Sequence, residues 1–263
     1  MVSRRPSKKR DLWTSAAARR LRAMAGEPPT IEDAVRITTK QILKGVSCPP
    51  TDLDAVASSL NITGFYPEEL PISGELRRDG KGFKIIYSSY LSDVRRRFTI
   101  AHEMAHAIFE GSGPNCPRIG RELERLCDML ATEILMPHDV FLQLAGTRVS
   151  SQKLFELART FKTSLSATAI RLAEVRGISV FEVEDEIITW SYGVVRKGPV
   201  REKHDDLKHA VETAFTVEYG DAVMFMNSRS WTGMWKLDWA RIGQGGRALF
   251  LLEPLRSSNQ ICG

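Results

Sequence analysis

His102, Glu103 and His106 stand in the stretch RRRFTIAHEMAHAIFEG, residues 95–111, in an otherwise apolar helical pattern. Residues four apart on an α-helix project only about 40° from each other, one turn apart, so both imidazoles can reach one ion. Glu103 is turned about 100° from His102, too far to be a third ligand from that turn but able to reach a water held on the ion. This is the mechanical content of H-E-x-x-H: two ligands and a general base. Val94, Phe98, Ala101, Ala105, Ile108 and Phe109 form an apolar stripe, with both histidines along its edge. A polar group buried without a partner costs roughly 2–7 kcal/mol, and one metal ion accounts for all three groups together. The bland alternative is a set of satisfied helix polar residues and a chance five-letter match.

A catalytic zinc takes three protein ligands and keeps one position open. The next helical stretch, RELERLCDMLATEILMP, has an inner stripe of Leu123, Leu126, Cys127, Leu130, Ala131, Ile134 and Leu135. Glu124 and Asp128 fall inside or at the edge of that stripe, whereas Glu122 and Glu133 project away from it. The wheel therefore picks Glu124 as the inward carboxylate. Asp128, one turn later, is placed to accept the second ring N–H of a metal-bound histidine. A carboxylate pair serving structure alone would still need a cation.

Such a set supports hydrolysis: a zinc ion acidifies water, and Glu103 takes the proton and returns it to the leaving group. Manganese is the expected substitute ion. A second donor to the oxyanion is expected but not placed; His138 is the nearest polar candidate, with an ordinary surface histidine the favoured reading. The strand FKIIY (83–87) precedes the active helix and is expected to pair with an extended peptide substrate.

RRFTIAHEMAHAIF followed by ELERLCDMLATEILMP resembles the ImmA/IrrE-type metallopeptidase family. PPTDLDAVASSLNI is similar to that family's entry segment, and LFELARTFKTSLSATAIRL to its helix-turn-helix-like segment. The resemblance covers about residues 30–176. It implies His102, His106 and Glu124 as zinc ligands, Glu103 as the catalytic glutamate and Asp128 as the residue behind a ligand. Ala105, Cys127 and Leu130 depart mildly from the family's usual glycine, alanine and phenylalanine. Cys127 is read as a small core residue, with a thiol–metal contact as the alternative. The resemblance further implies an α+β fold: a zincin-like domain of helices plus a small antiparallel-edged sheet, with a smaller α+β C-terminal region. It also implies a narrow protein substrate, typically a helix-turn-helix repressor whose cleavage relieves repression in stress responses or mobile-element control.

The elements that must position these residues follow from pattern. TIEDAVRITTKQILKGV (30–46) has helical spacing with Thr30 as N-cap, and TDLDAVASSLNI (51–62) reads as a helix capped by Thr51 or Asp52. GELRRDGKGFKIIYSS (74–89) reads as a hairpin with Asp79-Gly80 at its turn. The active helix is expected from about Ser92 to Phe109, broken by Gly111, Gly113, Pro114 and Pro117. Pro137 stops the next one, and residues 151–175 read as helix, turn, helix. From 178 the character changes: ISVFEVEDEIITWSYGVV and RALFLLEPL look like strands, and 204–215 like a helix. The division expected is 1–29 as a basic flexible tail, 30–177 as the metallopeptidase domain including the hairpin at 151–175, and 178–263 as a partner-binding or sensor region. No repeat interrupts it.

Composition bounds the alternatives. The chain has 263 residues, 43% hydrophobic and 26% charged, within the range of ordinary globular proteins. It has no apolar run long enough to span a bilayer and no signal-peptide core, so a cytoplasmic location is the default expectation. Residues 1–22 carry +7 of a net charge of +5, leaving −2 for the rest. The basicity belongs to one end, and a solvated terminus explains it better than a nucleic-acid-binding body. Cys48, Cys116, Cys127 and Cys262 lack paired zinc spacing. The hairpin offers Arg171 and Arg176 to DNA, fewer bases than a reader usually presents, so nucleic-acid binding is not favoured. A metal-containing regulator that binds a repressor or DNA without turnover is the standing alternative. Trp190, Trp231, Trp235 and Trp239 suit either a ligand pocket or, better, aromatic core packing.

Overall fold

The computed structural model describes residues 13–111, 120–193, 198–199, 205–214, 219–227, 232–242 and 246–255. The chain divides into two compact units, Met1–His138 and Asp139–Gly263. Both mix helices with strands, so the class is α+β.

In the first unit α1 (Ala16–Met24), α2 (Ile31–Ile42) and α3 (Leu53–Ser59) lead into β1 (Ile62–Glu68), β2 (Gly74–Asp79) and β3 (Gly82–Ser88). α4 (Asp93–Gly111) and α5 (Arg121–Leu135) follow. Local chemistry sets the helix starts. Thr30 Oγ1 accepts the Asp33 N–H at 3.0 Å, and Asp52 accepts from Asp54 and Ala55 at 3.1 and 3.2 Å. These caps satisfy amides that the helices themselves cannot. Thr51, the other candidate cap, is buried and donates to the Ile134 carbonyl at 2.7 Å, tying α3 to the end of α5.

One apolar cluster joins α1, α2, α4 and α5, with Leu21, Ile31, Phe109, Leu126 and Leu130 almost fully buried. Burying such a side chain stabilises the fold by roughly 1.5–3 kcal/mol. The expected flexible tail is therefore corrected from residue 13 onward. Ala17, Ala18 and Leu21 of α1 are wholly buried, the Arg125 guanidinium lies 4.9 Å over the Trp13 ring, and the Ser15 N–H donates to Glu122 at 3.0 Å. Small residues among arginines hide an amphipathic stripe. Residues 1–12, with five of the eight basic residues of that segment, lie outside the described residues.

The sheet of this unit has the order β1-β3-β2, with β1 parallel and β2 antiparallel to β3. The expected hairpin forms, turning through Gly80 at φ +58°, a left-handed conformation that glycine adopts without a Cβ penalty. FKIIY, however, is the central strand, bonded on both sides, so it cannot receive a substrate strand. β1, ITGFYPE, carries a glycine and a proline and does not read as a strand, which is why β3 looks like an edge. The edge on the hairpin side is β2.

The second unit begins in α6 (His138–Ala145) and continues through the hairpin α7 (Ser151–Phe161) and α8 (Leu165–Arg176). Six strands follow: β4 (Ser179–Glu184), β5 (Ile187–Tyr192), β6 (Gly198–Pro199), β7 (Tyr219–Asn227), β8 (Thr232–Arg241) and β9 (Arg247–Pro254). They pair antiparallel in the order β6-β5-β4-β9-β8-β7. Phe181 stacks on Phe250 at 5.0 Å, Trp239 packs beside them, and Leu207 and Val211 of α9 (Asp205–Ala214) close this core. Trp235 packs against the same cluster and Trp190 donates to Glu182 at 2.9 Å. Trp231 lies outside the described residues, as do Cys116 and Cys262. Compactness thus places the 151–175 hairpin with the strands that follow it, while its motif position places it with the helices before it.

Candidate metal centre

α4 and α5 lie against one another through the apolar cluster, and that contact brings three side chains together at their margin. The His102 and His106 rings, one turn apart on α4, have centroids 5.0 Å apart. His102 Nε2 is 3.2 Å from Glu124 Oε2, and His106 Nε2 is 3.6 Å from Glu124 Oε1. Ligand atoms of His102, His106 and Glu124 all lie within 4.8 Å of one another. Around a tetrahedral zinc with bonds of about 2.0–2.1 Å, neighbouring ligand atoms stand about 3.3–3.4 Å apart. The two Nε2-to-carboxylate distances, one to each Glu124 oxygen, lie on either side of that value, and two imidazoles with one carboxylate are a donor set zinc accepts.

Asp128 fixes which nitrogen is free. His102 Nδ1 lies 3.0 Å from Asp128 Oδ1 and donates its hydrogen there. A neutral ring then turns the Nε2 lone pair toward a carboxylate oxygen, an arrangement that calls for a cation: a second proton or a metal. Burial pulls the His102 pKa down, but the hydrogen bond and charge of Asp128, then Glu103 and Glu124, outweigh it and the net shift is upward. His106 goes the other way, lowered by burial and by the charge of His102 against the opposing pull of Glu124 and Glu110.

Glu103 points elsewhere, as its 100° rotation requires. It is 8% exposed, and burial above all pushes its pKa up to about 7. His102 pulls the pKa back down, Glu124 pushes it up, the Leu76 backbone N–H that its carboxylate accepts pulls it down, and Glu75 pushes it up. A carboxylate near neutrality is suited to taking and returning a proton.

The helical wheel is right about convergence and partly wrong about depth. Glu124 and Asp128 sit at the stripe's solvent edge, with side chains 51% and 56% exposed. Glu133, expected to project outward, is buried and accepts the His138 N–H at 2.7 Å. His138 stands at the start of α6. Cys127 is fully buried in the apolar cluster, as a small core residue is. In the hairpin, Arg171 is buried and paired with Glu174 at 3.2 Å, which removes it from DNA contact. Two contributors carry little sequence signal. Leu76 acts through its backbone, and Glu110, one turn beyond His106, is visible only as a continuation of the i, i+4 row.

Residues 72–173, spanning both helices of the site, match the IrrE N-terminal-like domain family, Peptidase_M78. The radiation response metalloprotease IrrE of Deinococcus radiodurans is 31% identical over 106 residues, 36% of this chain and 32% of that protein. The protein of the same name from Deinococcus deserti is 27% identical over 164 residues, 56% of each chain. The chain therefore spans about a third to just over half the length of the curated relatives it matches. Among solved structures, a Mycobacterium tuberculosis transcriptional regulator is similar in fold at a TM-score of 0.52. Its identity is 15%, with 84% of this chain and 75% of that chain covered.

Proposed function

We propose that the chain is a zinc-dependent endopeptidase of the ImmA/IrrE family of metallopeptidases. Its substrate, in this reading, is a helix-turn-helix transcriptional repressor. The observation that carries the reading is the meeting of two imidazoles of α4 and one carboxylate of α5, with ligand atoms within 4.8 Å of one another, beside a second, buried carboxylate on α4.

His102, His106 and Glu124 would hold the ion, with Asp128 orienting His102 through Nδ1. When bound, a divalent ion supplies Lewis-acid polarisation of a carbonyl and acidifies water at neutral pH. Two imidazoles and one carboxylate suit zinc, with manganese as a substitute. Glu103 takes one proton from the water whose oxygen adds to the scissile carbonyl carbon. It returns that proton to the amide nitrogen as the C–N bond breaks, leaving a carboxyl and an amine. The layout supports this: the paired histidines lie on α4, and β2, the edge strand of a small sheet, runs along that helix beside Glu103. A repressor substrate places the reaction in the cytoplasm, and no helix among the described residues is long and apolar enough to cross a membrane.

A second reading, a regulator that holds metal and binds a repressor or DNA without turnover, draws on the α7–α8 hairpin and on the fold likeness to a transcriptional regulator. The burial of Arg171 weighs against DNA readout by that hairpin. One experiment separates the two. Purified protein with zinc or manganese is incubated with helix-turn-helix repressors encoded near it. Defined cleavage products appear with the wild type and are absent with Glu103→Gln; binding without any product would favour the second reading.

A further inference from the structure

Glu103 is gripped from outside its own helix. Its carboxylate accepts the Leu76 N–H, and Leu76 belongs to the edge strand β2. The register explains why that amide is available. Ser73 accepts the Ser88 N–H at 2.9 Å, so alternation along the antiparallel ladder turns the backbone groups of Gly74, Leu76 and Arg78 away from β3. These three positions meet α4 in order: Gly74 against Thr99 and Glu103, Leu76 at Glu103, and Arg78 Nε 3.9 Å from Glu110 Oε2. The strand runs along the helix that carries both imidazoles and touches it at the carboxylate.

Gly74 makes the closest approach. A Cβ there would stand 2.5 Å from Thr99 Cγ2, 3.1 Å from the Ile86 carbonyl oxygen and 3.6 Å from Glu103 Cγ. Thr99 is buried and the Ile86 oxygen belongs to the backbone of the central strand, so neither withdraws easily. Gly74 has no positive φ, so this glycine is required for room, not for conformation.

We propose that β2 is a positioning strand for Glu103 and that Gly74 is a positioning residue. Its missing side chain lets the strand lie against α4 at the distance where the Leu76 N–H orients the carboxylate. The inference rests on the reading of Glu103 as the general base. A buried carboxylate has little water to hold it, and a donor fixed on one oxygen leaves the other aimed at the reacting water. Misplacing a reacting group by about 1 Å can cost about 100-fold in rate.

Two measurements on the full chain test this. The first is amide hydrogen exchange at Leu76 by NMR, with and without zinc. An outward amide of an edge strand exchanges freely unless bonded, so protection of Leu76 is expected, falling at least tenfold in Gly74→Ala while the amides of α4 stay protected. Free exchange of Leu76 in the wild type overturns the proposal whatever the activity. The second is kinetics on a cleaved substrate. Gly74→Ala is expected to lower kcat 10- to 100-fold with KM and bound zinc unchanged, and Gly74→Ala/Thr99→Ser, which removes the Cγ2 methyl, to recover most of it relative to Thr99→Ser. A wild-type kcat in Gly74→Ala, or loss of zinc in parallel with kcat, also overturns it. Gly74-dependent protection in a protein that hydrolyses no peptide with zinc keeps the strand contact and overturns the peptidase reading instead.

Discussion

His102 Nδ1 and Asp128 Oδ1 lie 3.0 Å apart across the α4–α5 contact, so an acid on one helix sets the tautomer of an imidazole on the other. Removing that acceptor leaves Nδ1–H without a fixed partner and frees the ring to rotate. Asp128→Ala is expected to weaken zinc binding about 10- to 100-fold without unfolding the chain. Competition with a chromophoric chelator measures it, and wild-type affinity in the variant would remove Asp128 from the site.

Glu103→Gln keeps the size of the side chain and removes its ability to take a proton. Bound zinc, measured by elemental analysis, is expected to stay near one equivalent while hydrolysis falls by about 100- to 10,000-fold. Residual activity close to wild type would transfer the base role to another group.

The raised pKa of Glu103 has a consequence for the metal-free protein. The folded chain holds this proton more tightly than the unfolded chain does, about 7 against an ordinary 4.5. Its contribution to stability is therefore fully present below about pH 4.5 and is lost as pH rises through about 7. Gln at this position mimics the protonated form and does not titrate. In chelator-treated protein, Glu103→Gln should match the wild type near pH 4.5 and exceed it by up to roughly 3 kcal/mol at pH 8. Denaturant melts at the two pH values check this, and parallel curves for both proteins would contradict it.

Zinc itself should stabilise the fold, because the unfolded chain does not hold its three ligands together. At a free concentration 100 times Kd the gain is about 2.7 kcal/mol. Calorimetry should show Tm rising with zinc in the wild type and standing still in His106→Ala.

α1 is expected to behave as core. Leu21→Ala removes a wholly buried side chain that packs with α2, α4 and α5, at a cost of about 2–5 kcal/mol. A loss under about 0.5 kcal/mol would mean that α1 is only laid on the surface.

Much of the candidate centre is legible in one dimension because helix geometry is local. Spacing alone puts His102 and His106 on one face, and the apolar stripe of 121–137 turns Glu124 and Asp128 toward the same margin while sending Cys127 to the core. Thr30 and Asp52 announce their helices by the same short-range chemistry. The α+β class and the strands β4, β5 and β9 are readable in the same way, from β-branched and aromatic runs.

What stays hidden depends on partners distant in sequence. FKIIY has the composition of a strand, but whether it is edge or centre is decided by β1, which pairs with it from some twenty residues away despite its glycine and proline. Glu133 looks outward on the wheel, yet it is buried and takes the His138 N–H, and the arginines of α1 mask the small residues that bury that helix against α5. Leu76 enters the site through a backbone amide that its side chain cannot advertise, at a strand edge created by register. Periodicity of 3.6 residues determined the pair of rings and the acid facing them. Which strand lies against their helix, and how closely, was set only when the chain closed on itself, because hydrogen-bond pairing between strands is a long-range choice.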